Sequence, residues 1–169
     1  MIRIIGCGNI LRRDDGVGVY AVEELNKTTL PVYVELVDAG TSALDMLSFL
    51  EGAEKAVIVD GVLPRSNPGT IYRAEIDEAE VCEEAEYFSM HDFSWEQGLA
   101  ACRNILGNKF PRKVTFFGIE AETVEYGLGL SAPVRESLDK VIALIQMETK
   151  DLKLDILTVK DADGRLRRP

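Results

Sequence analysis

Residues 1–25 read MIRIIGCGNILRRDDGVGVYAVEEL: an apolar run, a glycine-containing turn and then a helical pattern. The β-branched run at residues 1–7 predicts a buried strand. After Asp14 and Asp15, apolar residues recur at helical spacing on one face; they are Val17, Ala21, Val22 and Leu25. A strand that passes through a short turn into a helix is the unit of parallel α/β sheets, so this stretch predicts the fold class.

The same alternation continues along the rest of the chain. Further strands are predicted at residues 33–37, 55–60, 70–76 and 113–119, and further helices at residues 41–50, at 95–106 and from 131 onwards. We therefore predict a three-layer α/β/α fold, with a twisted and mainly parallel central sheet flanked by helices. Residues 1–150 are expected to form this single domain, and residues 151–169 a C-terminal extension that is either an edge strand or a mobile tail.

Composition and charge limit the partners and the location of the protein. The chain has 169 residues, a usual size for one domain, and its net charge of −10 argues against a nucleic-acid partner. Its three cysteines include no C-x-x-C pair, which argues against a disulfide framework or a cysteine-rich zinc site. No apolar run is long enough to span a membrane, and no export signal is recognisable, so we expect a cytoplasmic protein without membrane insertion.

Polar residues follow the predicted strands at the points where binding sites form in parallel sheets. Asp15 follows the first strand, residues 38–41 follow the second, and Asp60 ends the third. His91, the only histidine, precedes the predicted helix that starts at Trp95. Since sites in such folds lie beyond the carboxyl ends of the strands, these side chains are expected along one edge. Two carboxylates and one imidazole suit a borderline divalent metal such as nickel or zinc.

Each of these residues also has a structural alternative. Asp14 and Asp15 could cap the first helix, and Asp60 could cap another helix or pair with Arg12 or Arg13. A lone histidine such as His91 is more often structural than a metal ligand.

Two other chemistries are weighed at the same edge. Gly6-x-Gly8-x-x-Leu11 is an incomplete dinucleotide fingerprint, and Asp14 and Asp15 would repel a phosphate at the start of the helix, so no nucleotide is expected. A covalent Cys7–His91 pair is the other alternative, although a cysteine at the end of an apolar strand is more typical of inert core.

The opening motif resembles that of a known family. Residues 6–18, GCGNILRRDDGVG, fit the G-x-G-N-x-L-x-x-D-[DE]-x-x-G start of the hydrogenase maturation proteases. Further stretches follow in the family's order: residues 38–41 (DAGT), 57–60 (VIVD), 117–120 (FGIE) and 129–131 (GLS). The resemblance spans residues 1 to about 145, and it implies a twisted sheet flanked by helices, as the alternation predicts.

The resemblance also implies a function. Members of this family are endopeptidases that remove a C-terminal extension from the large-subunit precursor of a nickel–iron hydrogenase once nickel is in place. By position, their nickel-recognising residues correspond to Asp15, Asp60 and His91, which we take as the catalytic and metal-contacting set. Nickel would arrive on the substrate rather than be held as a cofactor, and a carboxylate would position the attacking water.

Two points stay open at the sequence level. The turn made by Asp38, Gly40 and Thr41 is a candidate for substrate contact, or Asp38 serves only as a local cap. A catalytically inactive relative that binds the precursor as a chaperone is the main functional alternative.

Overall fold

The computed structural model describes residues 1–42, 45–77, 89–90 and 93–157. The strands of this part of the chain are β1 (Ile2–Cys7), β2 (Val34–Gly40), β3 (Lys55–Val62), β4 (Ile71–Asp77), β5 (Ser89–Met90), β6 (Phe93–Ser94) and β7 (Lys113–Glu120). Its α-helices are α1 (Val17–Asn26), α2 (Met46–Leu50), α3 (Trp95–Leu106) and α4 (Ala132–Leu157).

Five strands form the central sheet in the order β2-β1-β3-β7-β4. The first four are parallel, and β4 runs antiparallel to β7 at the edge. The predicted α/β fold with a mainly parallel sheet is therefore confirmed. A separate two-stranded ladder joins β5 to β6. None of the helices described is both long and apolar enough to cross a bilayer.

The two faces of the sheet carry separate hydrophobic cores because successive strand residues point to opposite faces. Val57 and Val59 of β3 belong to the core beneath α1 and α4. Ala56 and Ile58 belong to the core beneath α2 and α3. Asp60 continues the even-numbered series, so its side chain lies on the α2–α3 face of the sheet.

Helix α1 lies directly on the sheet because glycines remove the side chains that would separate them. A Cβ added to Gly18 would be 2.1 Å from the carbonyl oxygen of Val59, and one added to Gly6 would be 2.0 Å from the carbonyl oxygen of Gly18. No larger residue fits at either point without moving the helix. This close approach fixes the turn that precedes α1 at the carboxyl ends of β1 and β3.

Two helices differ from the sequence prediction. A helix was predicted over residues 41–50, but α2 covers only Met46–Leu50. Ser42 and Asp45 have the spacing of a helix-capping box. The Ser42 hydroxyl instead donates to the Asp45 carboxylate at 2.6 Å, so this pair bonds side chain to side chain. At the other end, α4 continues through Leu157, so residues 151–157 are helical rather than an edge strand. Residues 158–169 lie outside the described part of the chain.

Candidate functional site at the carboxyl edge of the sheet

The carboxyl ends of β1, β2 and β3 bring two predicted site residues together. Asp15 lies on a 3-10 helix, Arg13–Gly16, that connects the turn after β1 to α1. A Cβ added to Gly61, the residue after Asp60, would be 3.3 Å from the Cα of Asp15. The backbones that carry the two aspartates are therefore in contact at this edge, as the rule for parallel sheets predicts.

Asp15 is half-buried and faces the turn that follows β1. Its Oδ2 accepts a hydrogen bond from the backbone N–H of Asn9 at 3.1 Å. Neither Asp14 nor Asp15 caps α1, because its N-cap residue is Gly16 and no side-chain capping hydrogen bond is made there, so the capping alternative is wrong for both aspartates. Within the described residues, the Asn9 bond is the one hydrogen bond that the Asp15 carboxylate accepts, which leaves an oxygen for a substrate group.

Asp60 is a buried carboxylate at the end of a central strand, with 6% of its surface exposed. Its Oδ1 accepts a hydrogen bond from the backbone N–H of Gly61 at 2.8 Å. Its negative charge helps to raise the pKa of the Cys7 thiol, at the end of the neighbouring strand β1. Asp60 thus acts on Cys7, the last residue of β1, and Asp15 binds Asn9 in the turn that follows β1.

Cys7 is a poor candidate for a nucleophile in this setting. Burial is the largest cause that raises the pKa of its thiol well above the ordinary value, and the charges of Asp60 and Asp38 raise it further. A nucleophilic cysteine needs the opposite environment, one that stabilises the thiolate. This environment therefore disfavours Cys7 as the nucleophile of the covalent Cys7–His91 alternative.

We expect Cys7 in the folded protein to react with iodoacetamide at pH 8 at least about tenfold more slowly than in the urea-unfolded chain, because burial shields the thiol and raises its pKa, which removes reactive thiolate. Peptide mapping by mass spectrometry would follow the labelling of Cys7 separately from that of the other two cysteines. The Cys7→Ala variant should keep the activity of the wild type. Rapid labelling of Cys7 coupled to loss of activity would reinstate the covalent mechanism.

Asp14 has a structural role that the sequence did not reveal. It is fully buried, and its carboxylate accepts four hydrogen bonds. The backbone N–H groups of Glu122 and Thr123 donate to Oδ2 at 3.0 and 3.1 Å. Ser131 donates its N–H to Oδ1 at 2.7 Å and its hydroxyl to Oδ2 at 2.8 Å. Asp14 therefore holds both ends of the loop that connects β7 to α4, residues 121–131.

The middle of the 121–131 loop is held by the turn that follows β1. The N–H of Gly127 donates to the carbonyl oxygen of Leu11 at 2.9 Å. The N–H of Arg13 donates to the carbonyl oxygen of Gly127, also at 2.9 Å. The Arg12 side chain donates from Nε to the carbonyl oxygen of Val124 at 3.0 Å. The two loops thus form one paired surface directly beside Asp15.

A third buried carboxylate, Glu120, holds the segment that follows β3. Its Oε1 accepts hydrogen bonds from the backbone N–H groups of Arg65, Ser66 and Asn67 at 2.9, 2.8 and 2.8 Å. Its Oε2 accepts a hydrogen bond from the hydroxyl of Tyr72 at 2.8 Å. Burial opposes ionisation, but the hydrogen bonds from Tyr72 and the three N–H groups outweigh it and lower the pKa of Glu120. The hydrogen bond between the Tyr72 hydroxyl and Glu120 is also the largest cause that raises the pKa of Tyr72.

Tyr72→Phe should therefore cost stability in a way that depends on pH. Because the pKa of Glu120 is lowered on folding, its contribution is present above the unfolded pKa of about 4.3 and is lost as pH falls through the folded pKa. We expect the difference in unfolding free energy between the wild type and Tyr72→Phe to be constant from pH 6 to 7 and to shrink towards pH 3. Urea denaturation across this range measures it, and a difference independent of pH would refute the coupling.

The remaining predicted site residues are placed less completely. Asp38 is exposed, and its Oδ1 accepts a hydrogen bond from the N–H of Gly40 at 2.9 Å, so it stabilises the local turn. Gly40 has a φ of +50°, and Thr41 is exposed beside it. Contact of this turn with substrate stays a prediction.

His91 lies outside the described residues, between β5 and β6 in sequence. The helix that follows it, α3, covers the sheet face on which Asp60 lies. Within the described ranges, no three His, Cys, Asp or Glu side chains form a group able to hold a metal ion.

Comparison with known proteins identifies the family. A family model described as hydrogenase maturation protease matches residues 19–148. The chain belongs to this family. It is 31% identical over 151 residues to the hydrogenase 2 maturation protease of Escherichia coli, covering 86% of this chain and 90% of that protein. It is 33% identical over 144 residues to the hydrogenase expression/formation protein HupD of Rhodobacter capsulatus, covering 84% of this chain and 68% of HupD.

The fold agrees with the same family. The structure of the E. coli hydrogenase maturating endopeptidase HybD aligns with a TM-score of 0.72 at 28% identity, covering 89% of this chain and 92% of HybD. The hydrogenase maturation protease HybD of Thermococcus kodakarensis aligns with a TM-score of 0.69 at 25% identity, covering 88% and 98% of the two chains. As a member of a family of endopeptidases, this hydrogenase maturation protease is a hydrolase.

Proposed function

We propose that this protease removes the C-terminal extension of a nickel–iron hydrogenase large-subunit precursor, and that it acts after nickel insertion by recognising the bound nickel. The observation that supports this most directly is the contact between the segments that carry Asp15 and Asp60 at the carboxyl edge of the sheet. Family membership supplies the reaction, since the E. coli relative is named a hydrogenase 2 maturation protease.

In the proposed mechanism, Asp15, Asp60 and His91 offer ligands to the nickel that the precursor brings. Carboxylate oxygens and an imidazole nitrogen can both bind such a metal. Binding would hold the scissile peptide bond beside the two carboxylates, which lowers the entropic cost of the reaction. A carboxylate would then position the attacking water. The low exposure of Asp60 favours a strong interaction, because charges attract each other more strongly where water is excluded.

The test is the intact mass of a large-subunit precursor before and after incubation with this protein. Nickel-loaded precursor should lose a mass equal to a C-terminal peptide, and nickel-free precursor should stay intact. Cleavage of both forms would leave the endopeptidase in place but contradict nickel recognition. A stable complex without any cleavage of the loaded precursor would identify a non-catalytic binder instead.

A further inference from the structure

Large apolar side chains are exposed where the two paired loops meet. Tyr126 and Leu128 of the 121–131 loop are 85% and 70% exposed, and Leu11 and Ile10 of the turn after β1 are 57% and 37% exposed. Together these four side chains, the apolar patch, present on the order of 500 Å² to solvent, about as much as the largest patch on a typical monomer, which is often functional. An exposed apolar patch of this size is typical of a surface that binds another molecule.

The patch is held rigidly, although it lies on loops. Leu11 and Gly127 are joined by a backbone hydrogen bond of 2.9 Å, and Asp14 anchors the start and the end of the 121–131 loop. Arg13 adopts a φ of 48°, a left-handed conformation that is costly for a residue other than glycine. Such a conformation persists only where the surrounding structure holds it in place. A surface that is already ordered loses little conformational entropy when a partner binds to it.

The charges around the patch nearly cancel, in a chain with a net charge of −10. Arg12 and Arg13 lie on one loop with the half-buried Asp15, and the exposed Glu122 and Glu125 lie on the other. The Arg12 guanidinium lies 5.8 Å from the centre of the Tyr126 ring, within the range of a cation–π contact. The patch therefore suits an apolar and weakly charged partner rather than a polyanion, and tyrosine and arginine are the residue types that dominate binding energy at protein interfaces.

The patch borders the carboxyl edge of the sheet directly. The N–H of Asp15 donates to the carbonyl oxygen of Arg12 at 3.2 Å, within the turn that carries Ile10 and Leu11. A Cβ added to Gly16 would lie 2.7 Å from the Cα of Ile10, so the turn packs against the start of α1. A macromolecule whose scissile bond reached Asp15 would have to cover part of this surface.

We infer that the apolar patch is the docking surface for the large-subunit precursor, and that it binds an apolar region next to the precursor's C-terminal segment. This inference rests on the proposed function. The patch area is below the roughly 800 Å² per partner of a standard stable interface, which fits a substrate that is released after cleavage better than a permanent second copy of this chain. Docking here would separate the recognition of the folded precursor from the chemistry at Asp15 and Asp60.

The test compares steady-state cleavage of the nickel-loaded precursor by the wild type, Tyr126→Ser/Leu128→Ser and the single variant Leu128→Ser. Both side chains are largely exposed, so both variants should keep the wild-type unfolding transition. The double variant should raise KM roughly tenfold or more and leave kcat unchanged, because loss of two anchoring side chains weakens docking only. Met147→Gln is the matched control, since Met147 is a 62% exposed apolar residue on α4, and it should leave both constants unchanged.

The outcomes separate this inference from the proposed function. Cleavage by the wild type with an unchanged KM in the double variant would overturn the docking surface and leave the protease function in place. If the wild type cleaves no precursor, precursor binding by the wild type, with and without the patch substitutions, still tests docking. Sedimentation that finds a wild-type dimer and a monomeric double variant would assign the patch to self-association and overturn the inference.

Discussion

Asp60→Asn should lower cleavage of the nickel-loaded precursor by about 10²-fold or more while the protein stays folded. The amide keeps an oxygen that can accept the N–H of Gly61, which bonds to Asp60 Oδ1 at 2.8 Å, so the end of β3 should be preserved. The amide removes the negative charge that is proposed to bind nickel and to position water. Asp15→Asn should have a similar effect, since its amide oxygen can still accept the N–H of Asn9.

The measurement is the rate of precursor cleavage, followed by intact mass, together with the urea unfolding midpoint of each variant. Asp139→Asn is the matched control because it makes the same change at an exposed residue of α4, and it should cleave at the wild-type rate. Wild-type activity in Asp60→Asn would remove this carboxylate from the mechanism. Lost activity with a lowered unfolding midpoint would instead indicate a structural role.

The elements of the fold could be predicted where a local pattern has a single physical solution. The run of apolar residues in 55–60 became β3, extended to Val62, because a central parallel strand is buried on both faces. The helix predicted over residues 95–106 has those bounds, and Gly107 ends it with a φ of +52°. The predicted helix over residues 41–50 was too long: Asp45 is the N-cap residue of α2, and its carbonyl oxygen accepts the N–H of Phe49 at 3.1 Å.

The meeting of Asp15 and Asp60 at one edge of the sheet could be predicted, but the side chains that support this edge could not. Asp15 and Asp60 were placed at one edge because parallel strands align their carboxyl ends. The partners of Asp14 and Glu120 are mostly backbone N–H groups, which leave no trace in the sequence. Ser131 lies 117 residues from Asp14, so no local spacing relates the two. The adjacent pair Asp14–Asp15 was the one signal available, since a site that needs one of these carboxylates leaves the other for a different role.

Asp14→Ala should be among the most destabilising substitutions in this protein, although Asp14 is not proposed to touch the substrate. Removing the carboxylate leaves the N–H groups of Glu122, Thr123 and Ser131 and the Ser131 hydroxyl without their acceptor. Buried donors without a partner cost about 1–3 kcal/mol each, so partial rehydration still leaves an expected loss of about 3 kcal/mol or more. Urea denaturation at pH 7 measures this as a shift of the midpoint.

Substitutions at Asp14 should mainly lower stability, whereas substitutions at its neighbour Asp15 should mainly lower cleavage. Asp14→Asn should recover only part of the lost stability, because the amide NH₂ group faces backbone donors and cannot accept from them. Asp15→Ala loses one hydrogen bond on a half-buried side chain, so it should cost about 1 kcal/mol while abolishing cleavage. If Asp14→Ala unfolds at the wild-type urea concentration, the four hydrogen bonds do not hold the 121–131 loop. The apolar patch would then lack the anchor on which its rigidity depends.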